Sequence, residues 1–162
     1  MVEKVMKWKL CIALCLMTSL AQAQTIGDLR PIVGLTYGLT VEEPGLNIGV
    51  EYLFLDNFGT AFTYETFFTG DNVTFRSVHL DGRYYFRGGQ LQYYGLLGYV
   101  RNTTQFPGTE RVTKGGLNFG IGTVYRLTFA DRFALFAQLR YSTPNESQLA
   151  GFGGLTYLLN IK

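Results

Sequence analysis

The stretch GLNFGIGTVYRL, Gly116 to Leu127, sets Leu117, Phe119, Ile121, Thr123, Tyr125 and Leu127 on one side of an extended chain. Gly116, Asn118, Gly120, Gly122, Val124 and Arg126 fall on the other. A strand half exposed to water normally carries several charges on its wet face. Here that face is mostly glycine, with one charge in twelve residues. The alternation is clean, so a strand is expected, but the polar side is too small and too neutral to be a solvated surface.

The same two-residue period recurs along the rest of the chain and yields eight candidate strands between turn signals. In IVGLTYGLTV, from Ile32, the residues Val33, Leu35, Tyr37 and Leu39 oppose Gly34, Thr36 and Gly38. In SVHLDGRYYF, from Ser77, the residues Val78, Leu80 and Tyr84 oppose His79, Asp81 and Arg83. The segment LQYYGLLGYVR, from Leu91, is apolar on both sides and leaves its facing open. Tight connections at Asp56-Asn57, Arg87 to Gly89 and Phe129 to Asp131 alternate with more polar ones at Glu42 to Gly45, Thr69 to Asn72, Asn102 to Lys114 and Ser142 to Ser147. Short turns at one end and longer loops at the other suit a barrel that spans an outer membrane. Pro44, Pro107 and Pro144 fall in the expected loops and Pro31 opens the first strand, so none is placed inside a strand, where the missing N–H would leave a gap in the ladder.

The beginning of the chain fits an exported protein. A basic lead with Lys4, Lys7 and Lys9 precedes an apolar run from Leu10 to Leu20 and then Ala21-Gln22-Ala23, so residues 1–23 read as a cleaved secretory signal and residues 24–162 as one barrel domain. The run is too short for a membrane-spanning helix, which needs about 20 apolar residues. Cys11 and Cys15 lie in the leader, and the bulky Leu14 before Cys15 does not suit lipid attachment. The leader carries three of the 14 basic residues and one of the 12 acidic ones, leaving 11 of each. A neutral chain with no basic cluster in sequence is not expected to bind nucleic acid.

If the apolar faces meet lipid, the opposite faces must fill a narrow eight-stranded lumen. That inward set contains Glu51, Glu65, His79, Asp81, Arg83, Arg126, Gln138 and Arg140, and an interior polar network among them is expected because buried charges persist when paired. Tyr52, Phe54, Phe58, Tyr84, Phe86, Tyr125, Phe133 and Tyr157 fall near the tight-turn ends of their strands, as a girdle at one membrane interface would; Phe68, Phe119 and Tyr141 fall near the loop ends.

With its leader, strand count, loop asymmetry and inward charges, the chain resembles the small eight-stranded outer-membrane barrels of the OmpA/OmpX type. The resemblance covers Gln24 to Lys162 and implies an all-β, antiparallel up-and-down transmembrane barrel with a polar, filled interior. It further implies residence in a Gram-negative outer membrane with both termini periplasmic, and contact with membrane lipid, lipopolysaccharide and the barrel-assembly machinery. Such barrels usually end on an aromatic residue, whereas this chain ends Leu159-Asn160-Ile161-Lys162.

Chemistry is weakly signalled. Ser77, His79 and Asp81 share one strand face but lie roughly 6.5–7 Å from one another along it, and they belong to the inward set. Some small barrels of this kind deacylate lipid A, with a histidine two residues before the catalytic serine on the penultimate strand; the corresponding position before Ser142 is Arg140. One histidine and no cysteine outside the leader suggest no metal site, no cofactor is expected, and Gly120-Ile121-Gly122 is followed by no helix that would make it a phosphate loop. The expected role is non-enzymatic, structural or surface-related, with the segment 102–114 meeting any extracellular partner. The alternatives are a lipid A-modifying enzyme and a soluble lipocalin-like barrel that binds ligand. A porin-like water path is disfavoured by so narrow a lumen.

Overall fold

The computed structural model describes residues 27–70, 73–86, 88–108, 110–144 and 148–160. The expected leader, residues 1–23, lies outside them. Eight strands run β1 Asp28–Gly38, β2 Glu43–Leu55, β3 Phe58–Phe67, β4 Thr74–Tyr85, β5 Leu91–Gln105, β6 Val112–Arg126, β7 Phe133–Ser142 and β8 Gln148–Tyr157. Each pairs antiparallel with its sequence neighbours, and β8 pairs with β1 from Ile32↔Thr156 to Gly38↔Ala150. The sheet therefore closes on itself, which removes the unpaired edges that no lipid could satisfy. A two-residue strand, β9 Leu159–Asn160, continues β8 along Leu29 and Asp28.

Strand alternation sorts the side chains in the sense opposite to a soluble protein. Along β7 each second residue, from Ala134 to Arg140, is buried in the lumen, while Phe133, Leu135, Ala137 and Leu139 are exposed outside. On β6 the outward set of the opening stretch includes Leu117, Phe119, Ile121 and Tyr125, and Ile121 is 66% exposed. The open facing of β5 is resolved: Gln92, Tyr94, Leu96, Val100 and Asn102 point inward, and Leu91, Tyr93, Leu97 and Tyr99 outward.

The inward glycines of the opening stretch make room. A Cβ on Gly122 would lie 2.3 Å from Cζ of Tyr94, its partner on β5. A Cβ on Gly154 would meet the Phe136 ring at 2.8 Å. Glycine on one strand thus leaves space for an aromatic ring from the next, and Tyr85, Tyr94, Phe136, Phe152, Leu53 and Leu96 cross the lumen as a buried apolar cluster between the polar groups. The interior is filled, but by rings as much as by charges.

Three expectations of position change. Most of the segment 102–114 is not loop: Asn102↔Lys114, Thr103↔Thr113 and Thr104↔Val112 are paired, and only residues 106–111 connect the strands. Its polar composition conceals β-branched residues suited to extended structure. Pro31 does not open β1 but lies inside it, where pairing to the last strand lapses between Ile32↔Thr156 and Leu29↔Leu159, so its missing N–H falls at a gap in the ladder. Pro44, expected in a loop, is the second residue of β2, because the first hairpin turns earlier, at residues 39–42, with Glu42 at φ 55°.

Candidate functional site

The lumen holds the densest polar chemistry of the molecule. Toward the loop end, Arg140 of β7 reaches across to two strands: its Nη1 donates to Glu65 Oε1 at 2.5 Å and its Nη2 to Asp81 Oδ2 at 2.9 Å. Asn47 Nδ2 donates to the same Glu65 oxygen at 3.1 Å, and His79 Nε2 lies 3.2 Å from Glu65 Oε2. Asn118, inward on the opening stretch, places its amide nitrogen 2.9 Å from both Asp81 Oδ1 and His79 Nδ1. Five strands thereby converge on one group of charges.

A second group lies toward the tight turns. Tyr85 donates its hydroxyl to Glu51 Oε1 at 2.6 Å, Arg83 Nη1 stands 3.5 Å from that oxygen, and Arg30 Nη1 lies 3.8 Å from Glu51 Oε2. Arg30 also lies 3.8 Å from Asp28. Gln138 joins this second group, its Oε1 accepting from Tyr94 at 2.8 Å and from Arg83 Nη2 at 3.2 Å. The guanidinium of Arg83 stacks 5.0 Å from the Tyr94 ring centroid and that of Arg140 4.8 Å from Phe152, so the aromatic plug and the ionic network are one structure.

Of the inward residues named from sequence, Glu51, Glu65, His79, Asp81, Arg83, Gln138 and Arg140 are buried and belong to these two groups. Arg126 is not part of either. Arg126 is the last residue of β6, half-buried, and forms no ion pair among the described residues; its Nε lacks a partner. Arg30 occupies the place expected for Arg126. Its parity with inward Ile32 was visible, but a strand taken to begin at Pro31 cuts it off. Asn47, Asn118, Tyr85 and Tyr94 were also missed, because single amides and tyrosines carry no sign of partnership in sequence.

His79 is held by Glu65 and Asn118, and no hydrogen bond joins it to Ser77 among the described residues. All three candidate residues Ser77, His79 and Asp81 are buried in the filled lumen. No group of three or more histidine, cysteine, aspartate or glutamate side chains among the described residues could hold a metal ion.

On the outside, aromatic rings gather at two levels. Near the tight turns, Phe58 lies 4.8 Å from Tyr84, Tyr84 5.2 Å from Phe86, Phe54 6.4 Å from Phe58, and Phe133 4.9 Å from Tyr157. Tyr52 and Tyr125 are exposed at the same end. Gln90 donates to the Tyr125 hydroxyl at 2.9 Å and Arg132 to that of Tyr157 at 3.2 Å, which tethers these rings to the turn side. Phe119 and Tyr141 lie 5.1 Å apart, their rings tilted, toward the loop side. Between the two levels the surface is mainly aliphatic, with Leu35, Leu80, Leu97, Ile121, Leu139 and Leu155 exposed and the rings of Phe62 and Tyr99 set among them. An aliphatic band between aromatic rows is the exterior of a transmembrane barrel.

No family model and no curated protein matches the sequence. Solved structures do. The N-terminal β-barrel domain of Pseudomonas aeruginosa OprF superposes with a TM-score of 0.70 at 20% identity, covering 84% of this chain and 100% of that one. OprG from the same organism gives 0.65 at 12% identity, over 86% and 99% of the two chains. Ail, the attachment invasion locus protein of Yersinia pestis, crystallised with the heparin analogue sucrose octasulfate, gives 0.62 at 18% identity, over 83% and 100%. The chain has the fold of the small eight-stranded outer-membrane barrels of the OmpA/OmpX type.

Proposed function

We propose that this chain is an integral outer-membrane barrel, with both termini periplasmic, whose role is structural or surface-interacting and not enzymatic. The observation that carries the reading is the inversion of the chain: aliphatic and aromatic side chains cover the outer wall, and the arginines and carboxylates that pair with one another lie in the lumen. A soluble ligand-binding barrel would reverse both faces. A pore is disfavoured by the rings and guanidinium groups that cross the lumen. Lipid A hydrolysis is disfavoured because His79 is engaged by Glu65 and Asn118 inside the barrel, away from any lipid. Membrane lipid, lipopolysaccharide and the barrel-assembly machinery are the partners that such residence implies. The β5–β6 hairpin stands highest, its upper residues 111–115 exposed on both faces, so its tip at residues 106–111 is the surface offered to an external partner.

Cell fractionation with carbonate extraction and a cysteine at the exposed Pro107 test this together. The expected result is a membrane-retained, heat-modifiable band whose Pro107→Cys side chain reacts with an impermeant maleimide on intact cells. Recovery in the carbonate supernatant refutes membrane residence, and labelling only after lysis refutes the orientation.

A further inference from the structure

Two sets of arginines differ in kind. Arg30, Arg83 and Arg140 are buried in the lumen and face carboxylates. Arg76, Arg101 and Arg111 stand exposed on the outer wall, with no ion pair among the described residues. Strand register brings the outer set together. Arg76 of β4 is opposite Thr103 of β5, and Val78 is opposite Arg101, so the two arginines are diagonal neighbours on one face. Thr103 in turn is opposite Thr113 of β6, and Arg111 lies just before that strand. These side chains, with Tyr64 and Gln105, line a groove of about 380 Å³ that contains no carboxylate.

The position of the groove names its ligand. Below Arg76 and Arg101 the same faces of β4, β5 and β6 carry exposed Leu80, Leu97, Tyr99 and Leu117. An outward arginine is costly at the bilayer midplane and tolerated at the interface, so the groove sits at headgroup height with the hydrocarbon directly beneath it. Guanidinium groups bind phosphate through paired N–H donors, and the neighbouring threonine hydroxyls add further donors. A molecule that satisfies both levels at once has phosphate groups above and acyl chains below.

We propose that Arg76, Arg101 and Arg111 form a binding site on the outer wall of β4–β6 for the phosphate groups of a phosphorylated glycolipid in the leaflet on the loop side, its acyl chains lying along Leu80, Leu97 and Leu117. The site rests on the membrane residence and orientation proposed above. It differs from them in requiring one face of the barrel, not the whole circumference, to hold lipid.

The test uses the full folded barrel in phosphatidylcholine nanodiscs, with bound lipid counted by native mass spectrometry and affinity taken from titration. The probes are bis-phosphorylated lipid A, the same lipid with both phosphates removed, free pyrophosphate, and a soluble polysulfated oligosaccharide. Lipid A is expected to bind at least tenfold more tightly than its dephosphorylated form and than either soluble anion. R76Q/R101Q/R111Q should lose at least tenfold of that affinity while keeping its heat-modifiable band; should the triple variant fail to fold, R101Q alone should lose threefold or more. Equal binding of the two lipids, unaltered binding by a folded variant, or pyrophosphate matching the lipid overturns the site. Tighter binding of the oligosaccharide overturns it in favour of a polysaccharide-binding surface. A barrel that inserts correctly and fails these arms refutes the site alone, whereas one that never enters the bilayer refutes the residence on which it rests.

Discussion

Arg140→Met is the perturbation that most directly measures what the lumen network contributes. The guanidinium donates to Glu65 at 2.5 Å and to Asp81 at 2.9 Å, and all three side chains are at most 3% exposed. Methionine keeps much of the volume and some contact with Phe152 but removes both ion pairs at once. Breaking a buried pair by deleting one partner costs about 3–5 kcal/mol, because the remaining charge is stranded away from water. The two acids do not suffer equally. Glu65 keeps the Asn47 amide at 3.1 Å and the His79 ring at 3.2 Å, whereas the Asp81 carboxylate keeps, among the described residues, only the Asn118 amide at 2.9 Å. Most of the loss therefore belongs to Asp81, and the total should lie near 3 kcal/mol rather than at twice that figure.

A double-mutant cycle follows from this asymmetry. Arg140→Met with Asp81→Asn should recover at least about 1 kcal/mol relative to Arg140→Met alone, and more than Arg140→Met with Glu65→Gln. The single tryptophan, Trp8, lies in the expected leader, so intrinsic tryptophan fluorescence does not report on the barrel. Urea titrations in lipid vesicles, read by the gel mobility of unheated samples and by far-ultraviolet circular dichroism, give the free energies. A loss under about 1 kcal/mol for Arg140→Met, or strict additivity in both cycles, would show that the close contacts carry no coupled energy.

Two other substitutions test the two faces of the opening stretch. Gly122→Ala puts a methyl group where a Cβ lies 2.3 Å from the Tyr94 ring, so overpacking should cost about 1–3 kcal/mol, and adding Tyr94→Leu should return part of it; equal stability of the single and double variants in urea would refute the ring-over-glycine packing. Ile121→Arg, at a site 66% exposed on the aliphatic band, should cost about 2–4 kcal/mol in vesicles, and unchanged folding there would refute the lipid-facing assignment.

The alternation of apolar and small residues is local information, and it was enough for the strand count, the antiparallel order and the facing of seven strands. Strand β5 was illegible on this basis because Tyr94, Leu96 and Val100 point inward while Tyr93, Leu97 and Tyr99 point outward, and hydropathy does not distinguish a ring that plugs a lumen from one that meets lipid. The partner of Gly122 is what decides it: only a strand whose inward Tyr94 fits over that glycine sits in register. Strand ends were blurred for a related reason. Polar residues at the top of β5 and β6 read as loop, yet a hairpin that rises out of the bilayer can be polar on both faces and remain paired, because water satisfies its side chains and the ladder its backbone.

The site was legible as a set of charges and illegible as a set of pairs. Parity alone places Glu65, Asp81 and Arg140 in one lumen, but which carboxylate meets which guanidinium depends on the stagger between strands separated by 75 and 59 positions in the chain. Arg126 and Arg30 show the limit: both have inward parity, and only their height relative to Glu51 separates the one outside the network from the one within it. The alternation carries the architecture, whereas the charge pairs in the lumen and the arginines on the wall do not follow from it. Whatever is particular to this protein is to be sought in those residues and in the β5–β6 hairpin, not in the strands that make it a barrel.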